Sequence, residues 1–315
     1  MKTKTPVEKS AKIPKPATVA PRIIPLSDLQ PSPPDIRDHI AALPRVTLPT
    51  SVDLKPLVNE VENQSIFNSC TANAGCSALE LMYHGNNTIV DLSRFYLYYY
   101  TRQLSGITGD KGAYARDIGK ALKAYGVCTE NNWAYVQENL DKAPTPAVIQ
   151  EANKFKILSY EQLVGDKLLE IKNAVAQGVP VLLTMAVHNG FYGLTGNWKT
   201  HSWDYTDNSK NPVVGWHEVL IIGYDDAAQR LLVENSWGPE WGDGGFFGIS
   251  YGMLTSAAIG ELWVLSPNYS LGNDVIPDPL PDPLPTPPTN KSWIVIALIA
   301  LAIIIFTTTG MFPTP

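Results

Sequence analysis

The 26 prolines in this chain of 315 residues are bunched, and the bunching limits where a packed domain can form. Proline has no N–H to give a helix or sheet ladder and fixes its own φ, so dense clusters resist regular structure. One cluster fills the first 50 residues and a second runs through 277–288. The folded unit must therefore lie between them, from about residue 51 to about 265. That length is enough for one good-sized core.

Residues 1–50 show no sustained hydrophobic period. Lys2, Lys4, Lys9, Lys12, Lys15 and Arg22 open the chain, but no apolar stretch follows them as a signal peptide would require. A disordered tail is the expectation, with a short pro-segment over residues 23–48 as the alternative. Residues 266–292 read as a linker in which Pro-Asp-Pro-Leu occurs twice, extended and semi-rigid. Residues 293–312 then carry no charge over about twenty positions, the length of a membrane-crossing helix, with Lys291 and Trp293 where interfacial anchors belong. The expected layout is a single-pass C-terminal tail anchor with the bulk of the chain in the cytosol.

Within 51–265 the texture changes part-way. Residues 70–84 read as a helix whose small residues (Ala72, Ala74, Gly75, Ala78) permit close packing. Asp91-Leu92-Ser93 resembles a cap before an aromatic-rich helix, and residues 114–125 form another, ended by Gly126. After Pro180 the apolar runs 181–183, 219–222 and 231–233 read as strands. Helices first and strands later predict an α+β fold of two lobes.

Composition narrows the function. The net charge is −6 and the basic residues form no stripe with aromatics between them, so nucleic acid is not the expected partner. Three cysteines, Cys70, Cys76 and Cys128, are too few for a disulfide framework or a structural zinc site. No metal or organic cofactor is expected. Cys70 stands where a loop gives way to a helix, a place that lowers a thiol's pKa through unpaired N–H groups. His217 opens an apolar run, and Asn235 follows another and could accept a His217 N–H, under the cover of Trp237. Cys76 and Cys128 read as core residues; His39, His84, His188 and His201 read as incidental.

Three ordered blocks resemble the papain-like cysteine peptidases. These are QSIFNSCTANA from Gln64, HEVLIIGYD from His217 and NSWGPEWGDGG from Asn235. The resemblance implies a two-lobed fold with the active site in a cleft between a helical lobe and a β-barrel-like lobe. It implies Cys70 as nucleophile, His217 as its base, Asn235 as the group orienting that base, and Gln64 as an oxyanion donor. Gly112, Ala113, Glu218 and Trp237 become substrate-binding positions, and the implied partner is a peptide or protein substrate. The chain departs from the family at Phe67, which stands where a half-cystine normally precedes the nucleophile, and at Thr71, where a tryptophan usually follows it. Glu218 stands where a small residue lines the second specificity pocket and implies a preference for basic side chains there. A catalytically silent papain-fold binding module and a thiol amidase or deubiquitinating-type hydrolase are the rival readings.

Overall fold

The computed structural model describes residues 31–204 and 212–269. The helical part comes first in the chain. Helix α1 spans Cys70–Gly85, α2 Arg94–Ser105 and α3 Ala115–Ala124. Ser93 caps α2 by accepting the Tyr96 N–H, as the sequence led one to expect. Gly126 ends α3 at φ +67°, and a Cβ there would sit 2.1 Å from the Ala152 carbonyl oxygen, so the chain needs glycine both for its backbone angle and for space. Gly75 has a different task. A Cβ on it would meet Ile118 at 2.6 Å, so its absence lets α1 and α3 approach.

The sheet is assembled from more strands than the apolar runs reveal. These are β1 Ser51–Asp53, β2 Ile157–Gln162, β3 Val181–His188, β4 Ser202–Trp203, β5 Val213–Asp225, β6 Arg230–Glu234, β7 Phe246–Ser250 and β8 Ile259–Pro267. Their order is β2-β8-β3-β5-β6-β7-β4, with β1 added antiparallel to β5. Every residue of β3 is buried, which explains why it reads as an unbroken apolar run rather than an alternating one. Helices α4 (Pro146–Ala152) and α5 (Lys167–Val175) complete the regular elements. Ile171, Ala174 and Val175 of α5 are buried in one core with β3, β5 and β6.

Residues 31–50, expected as part of a tail, are held along the domain. Ile40 bridges to Gln162, Asn173 donates to the Pro44 carbonyl, and Tyr224 donates to the Pro49 carbonyl. The Arg116 guanidinium pairs with Asp38 at 2.7 Å and also donates to the Pro33 carbonyl. Segments with this composition escape period-based reading because their contacts are single carbonyls and side chains rather than a face. The proposed linker beyond Tyr269 and the membrane helix at 293–312 lie outside the described residues. Among the described residues no helix is long and apolar enough to cross a membrane.

Candidate active site

The helix α1 begins at Cys70 with no side chain capping it; the Ser69 hydroxyl instead pairs with the Tyr135 hydroxyl at 2.6 Å. The first-turn N–H groups of α1 thus keep their partial positive charge. The backbone N–H groups of Glu218, Thr71 and Cys70 itself each favour the thiolate of Cys70. Burial outweighs them and pushes the thiol up to about 12, with the Glu218 carboxyl adding to the rise. His217 is buried as well, and desolvation brings its imidazole down to about 4 against the opposing bond from Asn235. Burial thus favours the neutral form of each group taken by itself.

The tautomer of that imidazole follows from its neighbours. The Ser236 N–H can only donate, and it donates to Asn235 Oδ1 at 2.8 Å. That fixes which end of the Asn235 amide is oxygen. The same oxygen lies 2.8 Å from His217 Nε2, so Nε2 must carry the hydrogen. Nδ1 is left with a lone pair and no hydrogen-bond partner. Trp237 lies over the ring at 5.1 Å between centroids and is itself stacked on Tyr192. The His217–Asn235 pair is therefore oriented by one backbone donor, the Ser236 N–H, and roofed by the Trp237 indole.

Gln64 is fully buried beside these groups. Its Oε1 accepts from Ser236 Oγ at 2.6 Å and its Nε2 donates to the Phe67 carbonyl at 2.8 Å, leaving the second amide hydrogen uncommitted. Gly112 and Ala113 follow a loop at φ +86° for Gly112, and the Gly112 N–H donates to Tyr98 Oη at 3.0 Å. Glu218 is 1 % exposed and accepts from the Thr184 hydroxyl at 2.7 Å. Its carboxyl is raised well above the ordinary range, first by burial, with Glu261 adding to it. Glu261 in turn accepts the Ser32 N–H and the Trp263 indole N–H.

The sequence did not point to Asp110. Its Oδ1 accepts both the Asn68 N–H (2.9 Å) and the Tyr98 hydroxyl (2.8 Å), while Asn68 Nδ2 donates to the Asp110 carbonyl at 2.7 Å. This bracket joins the loop just before Cys70 to the loop carrying Gly112 and Ala113. Phe67, beside it, packs edge-on against Phe95 and Tyr135. Cys70, Cys76 and Cys128 are all unpaired and buried. His84 bonds the Leu57 carbonyl and His188 accepts the Gly190 N–H, so neither belongs to this constellation.

A cysteine at a buried helix start, set beside a strand whose histidine is oriented by an asparagine from the next strand, defines a thiol hydrolase of the two-part α+β type. The comparisons make the class specific. Residues 48–264 match the sequence profile of the papain family cysteine proteases, and the chain belongs to that family. An uncharacterized peptidase C1-like protein of Acanthamoeba polyphaga mimivirus is 28% identical over 252 residues, covering 72% of this chain and 78% of that relative. Human cathepsin L2 is 28% identical over 215 residues, 64% of this chain and 61% of its own length. Across cellular relatives such as cathepsin L2 the match spans about three fifths of their length. Xylellain, a cysteine protease from Xylella fastidiosa, superposes with a TM-score of 0.70 at 26% identity over 79% of this chain and 99% of its own.

Proposed function

We propose that the chain is a cysteine endopeptidase that cleaves peptide bonds through a thioester on Cys70. The observation that carries this reading is the Ser236–Asn235–His217 hydrogen-bond chain, which leaves His217 Nδ1 as a free base in the same buried site as the thiol. Proton transfer from Cys70 Sγ to Nδ1 creates thiolate and imidazolium together, so each charge meets its counter-charge as it forms. The thiolate attacks the peptide carbonyl carbon and forms the C–S bond as the carbonyl electrons move to oxygen. The Cys70 N–H and the uncommitted Gln64 amide hydrogen receive that oxyanion. Collapse expels the amine, which takes its proton from His217. His217 then removes a proton from water, which attacks the thioester and releases acid and Cys70. An extended substrate would lie along the backbone of Ala113, because the Gly112 N–H is already spent on Tyr98.

The specificity pocket is acidic. Glu218 has one buried oxygen without a hydrogen-bond partner, and Glu261 lies close enough to act on its charge. A guanidinium or ammonium entering there would let Glu218 ionise and would satisfy that oxygen. A peptide-library digest read by mass spectrometry tests both parts. Cleavage should favour Arg or Lys two residues before the scissile bond by about 10-fold over Leu, and Glu218→Gln should remove the preference. Equal cleavage of Arg- and Leu-containing peptides by the wild type would refute the pocket reading, and no cleavage of any peptide would refute the peptidase reading.

The uncharged run at 293–312 supports a second proposal, that this peptidase is tethered to a membrane by its C-terminus. The full chain should stay with membranes through alkaline carbonate extraction, and a chain ending at residue 270 should not. Release of the full chain by carbonate would count against the tether.

A further inference from the structure

Behind the catalytic Asn235, where α1 meets β5 and β6, the fold forms a small, partly open pocket. Glu62, Asn73, Ser77, Glu218, Glu234 and Asn235 contribute to its lining, and it has room for about one water. Three lining residues carry buried polar atoms without a protein partner: Asn73 Oδ1, Asn235 Nδ2 and Glu218 Oε1. Glu234 is 5 % exposed, and nothing in the peptide-bond chemistry uses it. The Ser77 hydroxyl lies 2.9 Å from both Glu234 oxygens, in good geometry to each. Ser77 is on the helix that starts at Cys70, and Glu234 is the residue before Asn235. This contact therefore ties the element bearing the nucleophile to the strand that orients its base.

We propose that Glu234 is a positioning residue for catalysis, its carboxyl clasped by Ser77 so that α1 and the Asn235 turn hold Cys70 and His217 in register. The proposal rests on the peptidase reading given above. A neutral carboxylic acid suits the clasp, because it donates its own O–H to Ser77 Oγ while accepting the serine O–H. Burial pushes Glu234 up to about 8, with Ser77 opposing the rise and Glu62 adding to it. The other groups facing it agree. Glu218 forms the β5 wall, and Glu80 stands one turn beyond Ser77 on α1. Arg94 lies behind Glu62, paired with it at 2.7 Å and shared with Asp91 and Glu130. Phe246, opposite Glu234 on β7, is uncharged and carries Lys55 on its ring at 5.3 Å. Ionising Glu234 leaves a buried carboxylate beside Glu62 and takes the donated O–H away from Ser77. The clasp then loosens and the catalytic pair loses its spacing.

The test is the pH profile of kcat/KM for the full chain and for Glu234→Gln, Glu234→Ala and Ser77→Ala on one peptide substrate. Gln keeps a donor and an acceptor and cannot ionise. It should stay within about 3-fold of wild type at pH 6.5 and move the alkaline limb up by about half a unit or more. Glu234→Ala and Ser77→Ala should each lose about 10-fold or more, mostly in kcat. A Gln profile that superimposes on the wild type across pH 6–9, or full activity in Ser77→Ala, overturns the proposal. Thermal melts give a reading that needs no turnover. A carboxyl raised in the folded state binds a proton there that the unfolded chain has lost, so wild-type stability falls as pH climbs from 4.5 to 8. Glu234→Gln should lose Glu234's share of that fall, leaving a shallower slope from carboxyls such as Glu80 and Glu130, and parallel melting curves for the two proteins would overturn the proposal equally. Inactivity of the wild type itself, with the melts diverging as expected, would fault the peptidase reading and leave the clasp standing.

Discussion

Replacing Cys70 with alanine should lower kcat/KM by about 10⁴-fold or more, equivalent to about 5.5 kcal/mol of transition-state stabilisation. The loss is this large because no other described group can take over. Cys76 lies more than a turn inside α1 and Cys128 lies beyond the end of α3, so neither shares the helix start beside Glu218 that Cys70 occupies. The melting temperature should move by only a few degrees, since the side chain removed is small and unpaired. Cys70→Ser should also be inactive, because the neutral imidazole of His217 has to deprotonate a far weaker acid. The measurement is turnover of the best peptide alongside labelling by an epoxide or vinyl-sulfone thiol probe. Turnover surviving in the alanine variant, or probe label appearing on Cys76 or Cys128 instead, would remove Cys70 from its role.

The second large effect concerns stability. Arg94 has a side chain 7 % exposed, with Glu62 at 2.7 Å, Glu130 at 3.4 Å and Asp91 at 3.7 Å, and it lies over the Tyr135 ring. Glu80 is buried and Glu130 half-buried beside it, and loss of water already lifts them to about 8 and about 7, with the arginine pulling both down. Arg94→Ala removes the one cation from this cluster and strands the carboxylates. A loss of about 3–5 kcal/mol is expected, a large part of the stability of an ordinary domain. The sign of its pH dependence is fixed. Carboxyls raised in the folded state hold protons that the unfolded chain releases near 4.5, so stability is lost as pH rises through 7 and 8. Without Arg94 that slope steepens. Urea unfolding should show a larger deficit at pH 8 than at pH 5, and an equal deficit at both would show that packing, not charge, is what Arg94 supplies.

How much of this could be read from the chain varies with the reach of each interaction. The start of α2 after Ser93 and the end of α3 at Gly126 were legible because caps and glycines act within a few positions. The cores of β3, β5 and β6 announced themselves as apolar runs because both faces are covered. Strands β2 and β8 did not, since Tyr160, Glu161 and Glu261 interrupt their apolar pattern, and β7 did not because Gly248 splits its short run at 246–249. His217 and Asn235 were visible through their blocks. Asp110 was not, because its partners Asn68 and Tyr98 come from other loops and helices, and an aspartate beside glycine looks like any turn. Glu234 was hidden in the same way: at the end of a strand a carboxylate reads as a solvent group, and only the fold sets Ser77 against it. Residues 31–50, read as tail or short pro-segment, lie along the domain through contacts a periodic reading does not see, single carbonyls bound by Arg116, Asn173 and Tyr224.

The Asp110 bracket decides how this protein meets oxidation and reduction. The loops flanking the cleft are held by hydrogen bonds to one carboxylate, where the family's usual disulfide cannot form because Phe67 replaces its half-cystine. Nothing in the framework then depends on an oxidant, and a strong reductant leaves the cleft intact. With Cys70 as the proposed nucleophile, its sulfur is the one through which an oxidant would act on activity. Peroxide or disulfide exchange would switch this protein off without unfolding it, and a thiol would switch it back on from a fully formed site.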